Sequence, residues 1–219
     1  MQMVVFMDGA SFGEIQHYSA NPRVGGFTTN PSLLKKSGIR DYKDFALRVL
    51  SIVRTKPVSF EVLAPDHETM ERQAREIASW GENVYVKIPI TDANGKSSRN
   101  LIHALQDLNL NVTAVMTHPQ VEDIAPVLKP HHIVSVFNGR IQDTQREPMD
   151  MRYFGGKWKK LWASTRGVGS LTEATHLGYD IITMSADLIE KLPLHGKDLT
   201  QYSIETVRQF TKDAEGIIL

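Results

Sequence analysis

Short runs rich in β-branched and aromatic residues recur along the chain, each followed by a longer stretch with apolar residues at helical spacing. The short runs predict strands at VVFMD (4–8), GFTTN (26–30), VSFEVL (58–63), VYVKIP (84–89), NVTAVMT (111–117), HIVSVFN (132–138), KLWAST (160–165) and DIITMSA (180–186). Helices are expected between them, among them 41–54, 66–80, 97–108 and 170–178. The last pairs Ser170 with Glu173 three residues on, the pattern of a reciprocal N-cap, and Gly178 suits its C-terminal stop. Strands alternating with helices imply parallel pairing through crossovers. Eight such units predict an α/β chain folded as a compact (β/α)8 TIM barrel. The first strand lacks a glycine-rich turn after it, which disfavours a doubly wound open sheet. One barrel domain over 1–219 is expected, with a helical tail from about 198 to 219 that exceeds the barrel's needs and is available to a partner subunit.

Side chains alternate between the two faces of a strand. That parity sets Phe60 and Val62 against Ser59 and Glu61, and Val86 and Ile88 against Lys87. It sets Val112, Ala114 and Met116 against Asn111, Thr113 and Val115, and Val134 and Val136 against Ser135 and Phe137. Leu161 and Ala163 fall opposite Trp162 and Ser164, and Ile182 and Met184 opposite Thr183 and Ser185. Asp8 ends the first strand, and Thr28 and Asn30 share a face at the end of the second. In each set the first-named apolar face is expected to meet the helices, and the other to line the barrel.

Composition narrows the chemistry. Basic and acidic residues balance at 25 each, giving no global case for nucleic acid or an anionic membrane. No apolar run approaches the roughly 20 residues a membrane span needs. The opening MQMVVFMDGA lacks a basic n-region and reads as a first strand rather than a signal peptide. With no cysteine, disulfides, thiolate metal sites and cysteine nucleophiles are excluded, and the cytoplasm is the expected compartment. Eight histidines show no metal-ligand spacing, so no metal is expected.

What remains is a lysine, a glutamate and an aspartate (Lys87, Glu61 and Asp8) converging on one barrel interior. Burying charges costs several kcal/mol each and returns little stability, so charges at the C-terminal ends of barrel strands read as chemistry. A desolvated neutral amine can attack a carbonyl and form a Schiff base. Glu61 on the neighbouring strand suits proton shuttling for that step, and Asp8 is free to act as base in carbon–carbon cleavage.

Four stretches carry a family resemblance: GFTTNPSLL (26–34), VYVKIPIT (84–91), VSVFNGRIQD (134–143) and LWASTRG (161–167). In order and over essentially the whole chain, they resemble the transaldolases, and more closely the short branch that also contains fructose-6-phosphate aldolases. The resemblance implies a Schiff base on Lys87, acid/base work by Glu61 through a water, and Asp8 as the cleavage base. It also implies that Asn30 and Asn111 hold substrate hydroxyls and the carbonyl end, with Thr28, Thr113 and Ser135 nearby. Arg140, Ser164 and Arg166 would bind the substrate phosphate; the turn 166–169 leading into a helix at Ser170 suits that independently. Glu61 and Phe137 resemble the transaldolases, whereas the aldolases carry glutamine and a water-activating tyrosine at those positions. The implied activity is transfer of a dihydroxyacetone unit from sedoheptulose 7-phosphate or fructose 6-phosphate to an aldose phosphate, without cofactor, in the pentose phosphate pathway. Free aldol cleavage and a non-catalytic sugar-phosphate-binding barrel stay open as alternatives. A homo-oligomer, pentamer or decamer, joined through the C-terminal helix is implied as well. Gly9, Val136 and Gln142 depart from the family's usual residues, and 147–160 matches none of its motifs.

Other signals are discounted. The GKSS at 95–98 lacks the first P-loop glycine, and Asn-Val-Thr at 111–113 lies in an expected buried strand. KWKK (157–160) is expected as a solvated turn, His131–His132 at a strand entrance, and Trp80 and Trp162 as packing residues.

Overall fold

The computed structural model describes residues 3–217. Eight parallel strands close into a barrel in sequence order: β1 (Val4–Asp8), β2 (Val24–Thr28), β3 (Val58–Glu61), β4 (Val84–Pro89), β5 (Leu110–Val115), β6 (Ile133–Val136), β7 (Lys159–Trp162) and β8 (Ile181–Met184). Around them run α1 (Phe12–Ser19), α2 (Pro31–Lys36), α3 (Tyr42–Ile52), α4 (His67–Ala78), α5 (Arg99–Ala104), α6 (His118–Ile124), α7 (Asn138–Asp143), α8 (Ser170–His176) and α9 (Ala186–Glu190). The last helix, α10 (Leu199–Asp213), follows the barrel. The expected (β/α)8 TIM barrel with an additional C-terminal helix is the observed fold.

Capping explains where several helices begin. Asp41, Asp66 and Thr117 each stand just before a helix and accept a backbone N–H from its first turn. Asn30 does the same for α2, with Pro31 in the first turn, so β2 ends at Thr28 rather than running to Asn30. The expected cap at Ser170 is not there. Gly169 takes the N-cap position in helical backbone, Ser170 is the buried first residue of α8, and Glu173 instead accepts from Gln142 Nε2 at 3.1 Å. The helix does stop before Gly178, whose φ of +79° is available to glycine without strain.

The parity reading holds for β3, β4, β6 and β8 and fails in two places. Ala114 has φ +62° at a register shift between β5 and β6, so Val115 turns to the helix side instead of the interior. In β7 both faces are apolar, and hydrophobicity alone misassigned them. Leu161 and Ala163 point into the barrel with Phe6, Ile133 and Ile181, while Trp162 packs outside, edge-on to Tyr179 at 5.3 Å. The interior is thus layered: apolar at the N-terminal ends of the strands, polar towards their C-terminal ends.

KWKK (157–160) is not a solvated turn, because Trp158 is buried and Lys159 and Lys160 open β7. In the segment before it Met149 and Met151 enter the core, and Lys160 Nζ ties that segment down by donating to the carbonyls of Met151 (2.7 Å) and Phe154 (2.6 Å). His132 lies buried at the entrance to β6, where desolvation pulls its imidazole down to about 4. Trp80 packs edge-on against Tyr42 and Phe60.

Candidate active site

The C-terminal ends of the strands surround a small cleft that opens to solvent. Most of the residues expected there line it: Asp8, Thr28 and Asn30 from β1, β2 and the start of α2, Lys87, Asn111 and Thr113 from β4 and β5, and Ser135, Phe137, Arg140 and Ser164 from β6, α7 and the loops that follow β6 and β7. Ala163 and Thr183 line it too.

Lys87 is the pivot. It is only 5 % exposed, and its Nζ donates to the carbonyl of Thr29 at 2.8 Å and pairs with Glu61 Oε2 at 3.0 Å. The register dictates that pairing, because β3 and β4 set Glu61 and Lys87 side by side. Glu61 therefore stands beside the amine, set back from the cleft lining. Across the cleft, Asp8 accepts from Thr28 Oγ1 at 2.7 Å. Burial raises the Asp8 carboxyl above its usual range, outweighing the Lys87 charge and the Thr28 hydrogen bond that act the other way.

A buried relay runs beneath. Ser135 Oγ donates to Asn111 Oδ1 at 2.7 Å, and Asn111 Nδ2 donates to Ser59 Oγ at 3.1 Å. This fixes the orientation of the Asn111 amide. The Asn30 carboxamide oxygen is committed to the Leu33 N–H at 3.0 Å, leaving Nδ2 to serve a ligand. Thr113 Oγ1 is buried without a hydrogen-bond partner in a residue that lines the cleft, a group that a ligand or water would satisfy.

On the far side, the guanidinium of Arg140 lies 5.3 Å from the centroid of the Phe137 ring. Ser164 sits at φ +64°, a conformation that costs about 1–3 kcal/mol in a non-glycine residue. Gly139 is what lets the two loops meet there: a Cβ on it would fall 1.6 Å from the Ser164 carbonyl oxygen. Arg166 departs from expectation. It lies outside the cleft lining and is paired with Asp143, its Nε 3.1 Å from Oδ1.

Comparison with known proteins decides the lineage. The Transaldolase/Fructose-6-phosphate aldolase family matches residues 5–218. The chain belongs to the transaldolase/fructose-6-phosphate aldolase family. A "Probable transaldolase" of Methanococcus maripaludis (strain C5) is 35 % identical over 201 residues, covering 88 % of this chain and 91 % of the relative. A "Probable transaldolase 2" of Listeria monocytogenes is 34 % identical over 221 residues, covering 97 % of this chain and 96 % of the relative. Among solved structures, dihydrodipicolinate synthase from Rhodopseudomonas palustris shares the fold with a TM-score of 0.55 at 15 % identity, over 97 % of this chain and 79 % of that one. This family barrel is thus a transaldolase-type enzyme, and among its described residues no helix is long and apolar enough to cross a membrane.

Reasoning from the strands alone missed two contributors and one contact. The carbonyl of Thr29 holds the lysine, but backbone groups leave no side-chain signal. Tyr42 hydrogen-bonds to the backbone of Glu61 from α3, a contact between elements that no local pattern shows. Ser59 was placed on the interior face, yet its bond to Asn111 needed the register to be seen.

Proposed function

We propose that the protein is a transaldolase that moves a dihydroxyacetone unit from a ketose phosphate, sedoheptulose 7-phosphate or fructose 6-phosphate, to an aldose phosphate, a step of the pentose phosphate pathway. The observation that carries this reading is the Lys87 amine, enclosed in the barrel between Glu61 and the Thr29 carbonyl at the edge of an open polar cleft. Passing a proton to Glu61 frees the amine, which attacks the substrate ketone. Glu61, through a water, then protonates the departing hydroxyl, and an imine forms with loss of water. Asp8 takes the proton of the C4 hydroxyl, the C3–C4 bond breaks, and its electron pair moves into the imine to leave an enamine on Lys87. The aldose phosphate departs, and a second one accepts the three-carbon unit by the reverse steps. The protonated imine is the electron sink, so the scheme calls on no metal or cofactor.

Asn111 and Asn30, with Thr28, Thr113 and Ser135, would hold the hydroxyls and the carbonyl end. Arg140 and Ser164 would hold the phosphate, and Arg166 would join them by exchanging Asp143 for it. Phe137 favours transfer over free cleavage, because its ring offers no hydroxyl to activate a water against the enamine. The test is product formation from fructose 6-phosphate with and without erythrose 4-phosphate: exchange only with the acceptor supports transfer, and free dihydroxyacetone without it favours the aldolase. Substituting Gly139→Ala is expected to force the Ser164 loop away, raise KM for the phosphorylated donor about tenfold or more, and cost about 1–3 kcal/mol of stability by overpacking. Kinetics and thermal melts read both.

A homo-oligomer, pentamer or decamer, also belongs to this reading. It is supported by α10, which exposes Leu199, Tyr202, Val207 and Phe210 and buries none of its residues. Truncation at Leu192 is expected to reduce the assembly seen by light scattering; an unchanged size would remove the helix from the interface.

A further inference from the structure

The β2–β3 ladder is interrupted beside the lysine. Thr29 N–H donates to the Ser59 carbonyl at 3.1 Å, so in regular parallel pairing the Glu61 N–H would donate next to the Thr29 carbonyl. It does not. Glu61 N–H donates to the Tyr42 hydroxyl at 2.8 Å, and that hydroxyl donates back to the Glu61 carbonyl at 3.1 Å. The Thr29 carbonyl, released from the ladder, accepts from Lys87 Nζ at 2.8 Å. The Tyr42 ring is wedged edge-on between Trp80, 5.6 Å away, and Phe60, 6.1 Å away, which fixes where its hydroxyl can reach. One phenol thus replaces a backbone acceptor and grips both polar backbone groups of the residue whose carboxylate faces the lysine.

We propose that Tyr42 is a positioning residue: by satisfying the Glu61 backbone in place of the Thr29 carbonyl, it reserves that carbonyl for Lys87 and sets the spacing between the Lys87 amine and the Glu61 carboxylate. The inference rests on the reading of Lys87 as the imine-forming amine for its kinetic consequence, but the geometric part stands apart from it. Without the hydroxyl, the Glu61 N–H is left buried and turns to the acceptor that regular pairing assigns it, the Thr29 carbonyl. Lys87 then loses one of its two anchors, and the Glu61 carboxylate shifts with its backbone. Imine formation slows because amine and proton shuttle are misaligned, while the groups that hold the sugar and phosphate are untouched.

The test is Tyr42→Phe, which keeps the ring against Phe60 and Trp80 and removes only the oxygen. Borohydride trapping of the imine with fructose 6-phosphate is expected to slow, and kcat to fall, roughly tenfold, the scale of a modest misplacement. KM for the donor is expected to stay within about twofold, a split that general loosening of the fold would not give. A crystal structure of the variant is expected to show Glu61 N–H bonded to the Thr29 carbonyl and Lys87 Nζ moved off it. Parent-like trapping and kcat in the variant would overturn the kinetic role. If the parent itself forms no imine, the Schiff-base reading fails, and the variant's structure alone decides the positioning: a Lys87–Thr29 contact kept near 2.8 Å would overturn it.

Discussion

Lys87→Met is expected to abolish transfer, with kcat lower by about 10⁴-fold or more, the scale seen when a covalent nucleophile is removed. Methionine has nearly the same length and volume, so the strand β4 packing between Val86 and Ile88 on the outer face is preserved. On the proposed mechanism, what disappears is the only amine among the described cleft residues that can form an imine, and with it the electron sink for C3–C4 cleavage. Glu61 loses its partner at 3.0 Å, but its side chain is 15 % exposed, so water replaces part of that contact and the expected loss of stability is no more than about 3 kcal/mol. A folded variant with no activity is therefore the predicted result. Retention of even a hundredth of the parental rate in a folded Lys87→Met would place the chemistry elsewhere.

Asp8→Asn is expected to separate the two halves of the reaction. On the proposed mechanism imine formation depends on Lys87 and Glu61 and continues, whereas deprotonation of the C4 hydroxyl loses its base, so kcat is expected to fall by about 10²–10⁴-fold. Borohydride should then trap the whole ketose phosphate on the variant rather than a three-carbon fragment. The pH dependence has a defined sign. As the proposed base, Asp8 works only when ionised, and burial raises its carboxyl above its usual 3.8, so in the parent cleavage is expected to fall as the pH drops through that raised value. For stability the sign runs the other way. The folded state holds this proton to higher pH than the unfolded chain does, so the contribution of Asp8 is full below the unfolded value and is lost as pH rises through the folded one. At neutral pH the charged Asp8 is a cost to the fold, and Asp8→Asn is expected to melt no lower than the parent. A melting point several degrees lower would show that Asp8 is structural.

Much of the architecture was legible because each strand and helix announces itself over a short window. Alternation in β3, β4, β5 and β6 placed Glu61, Lys87, Asn111 and Ser135 on the interior before any pairing was known; Lys87, Asn111 and Ser135 line the cleft and Glu61 pairs with Lys87. The failures came where local pattern is ambiguous or tertiary geometry intervenes. Leu161 and Trp162 are both apolar, so parity could not tell in from out. Ala114 occupies a left-handed backbone conformation that its residue type does not advertise, and the resulting bulge reversed Val115. Ser170 and Glu173 had the spacing of a capping box, but the helical turn at Gly169 took the cap position first. In the cleft, the carboxylates and amides were readable as residue types. The Thr29 carbonyl, the Tyr42 hydroxyl and the Arg166–Asp143 pair were not, because each depends on groups brought together from different elements.

The most direct test of the account is the intact mass of the protein after incubation with fructose 6-phosphate and borohydride, followed by peptide mapping of any adduct. The account predicts a reduced three-carbon adduct on the peptide carrying Lys87, which requires both the imine and cleavage of the C3–C4 bond. A folded sample that acquires no adduct from fructose 6-phosphate or sedoheptulose 7-phosphate, or acquires one on another lysine, would contradict it.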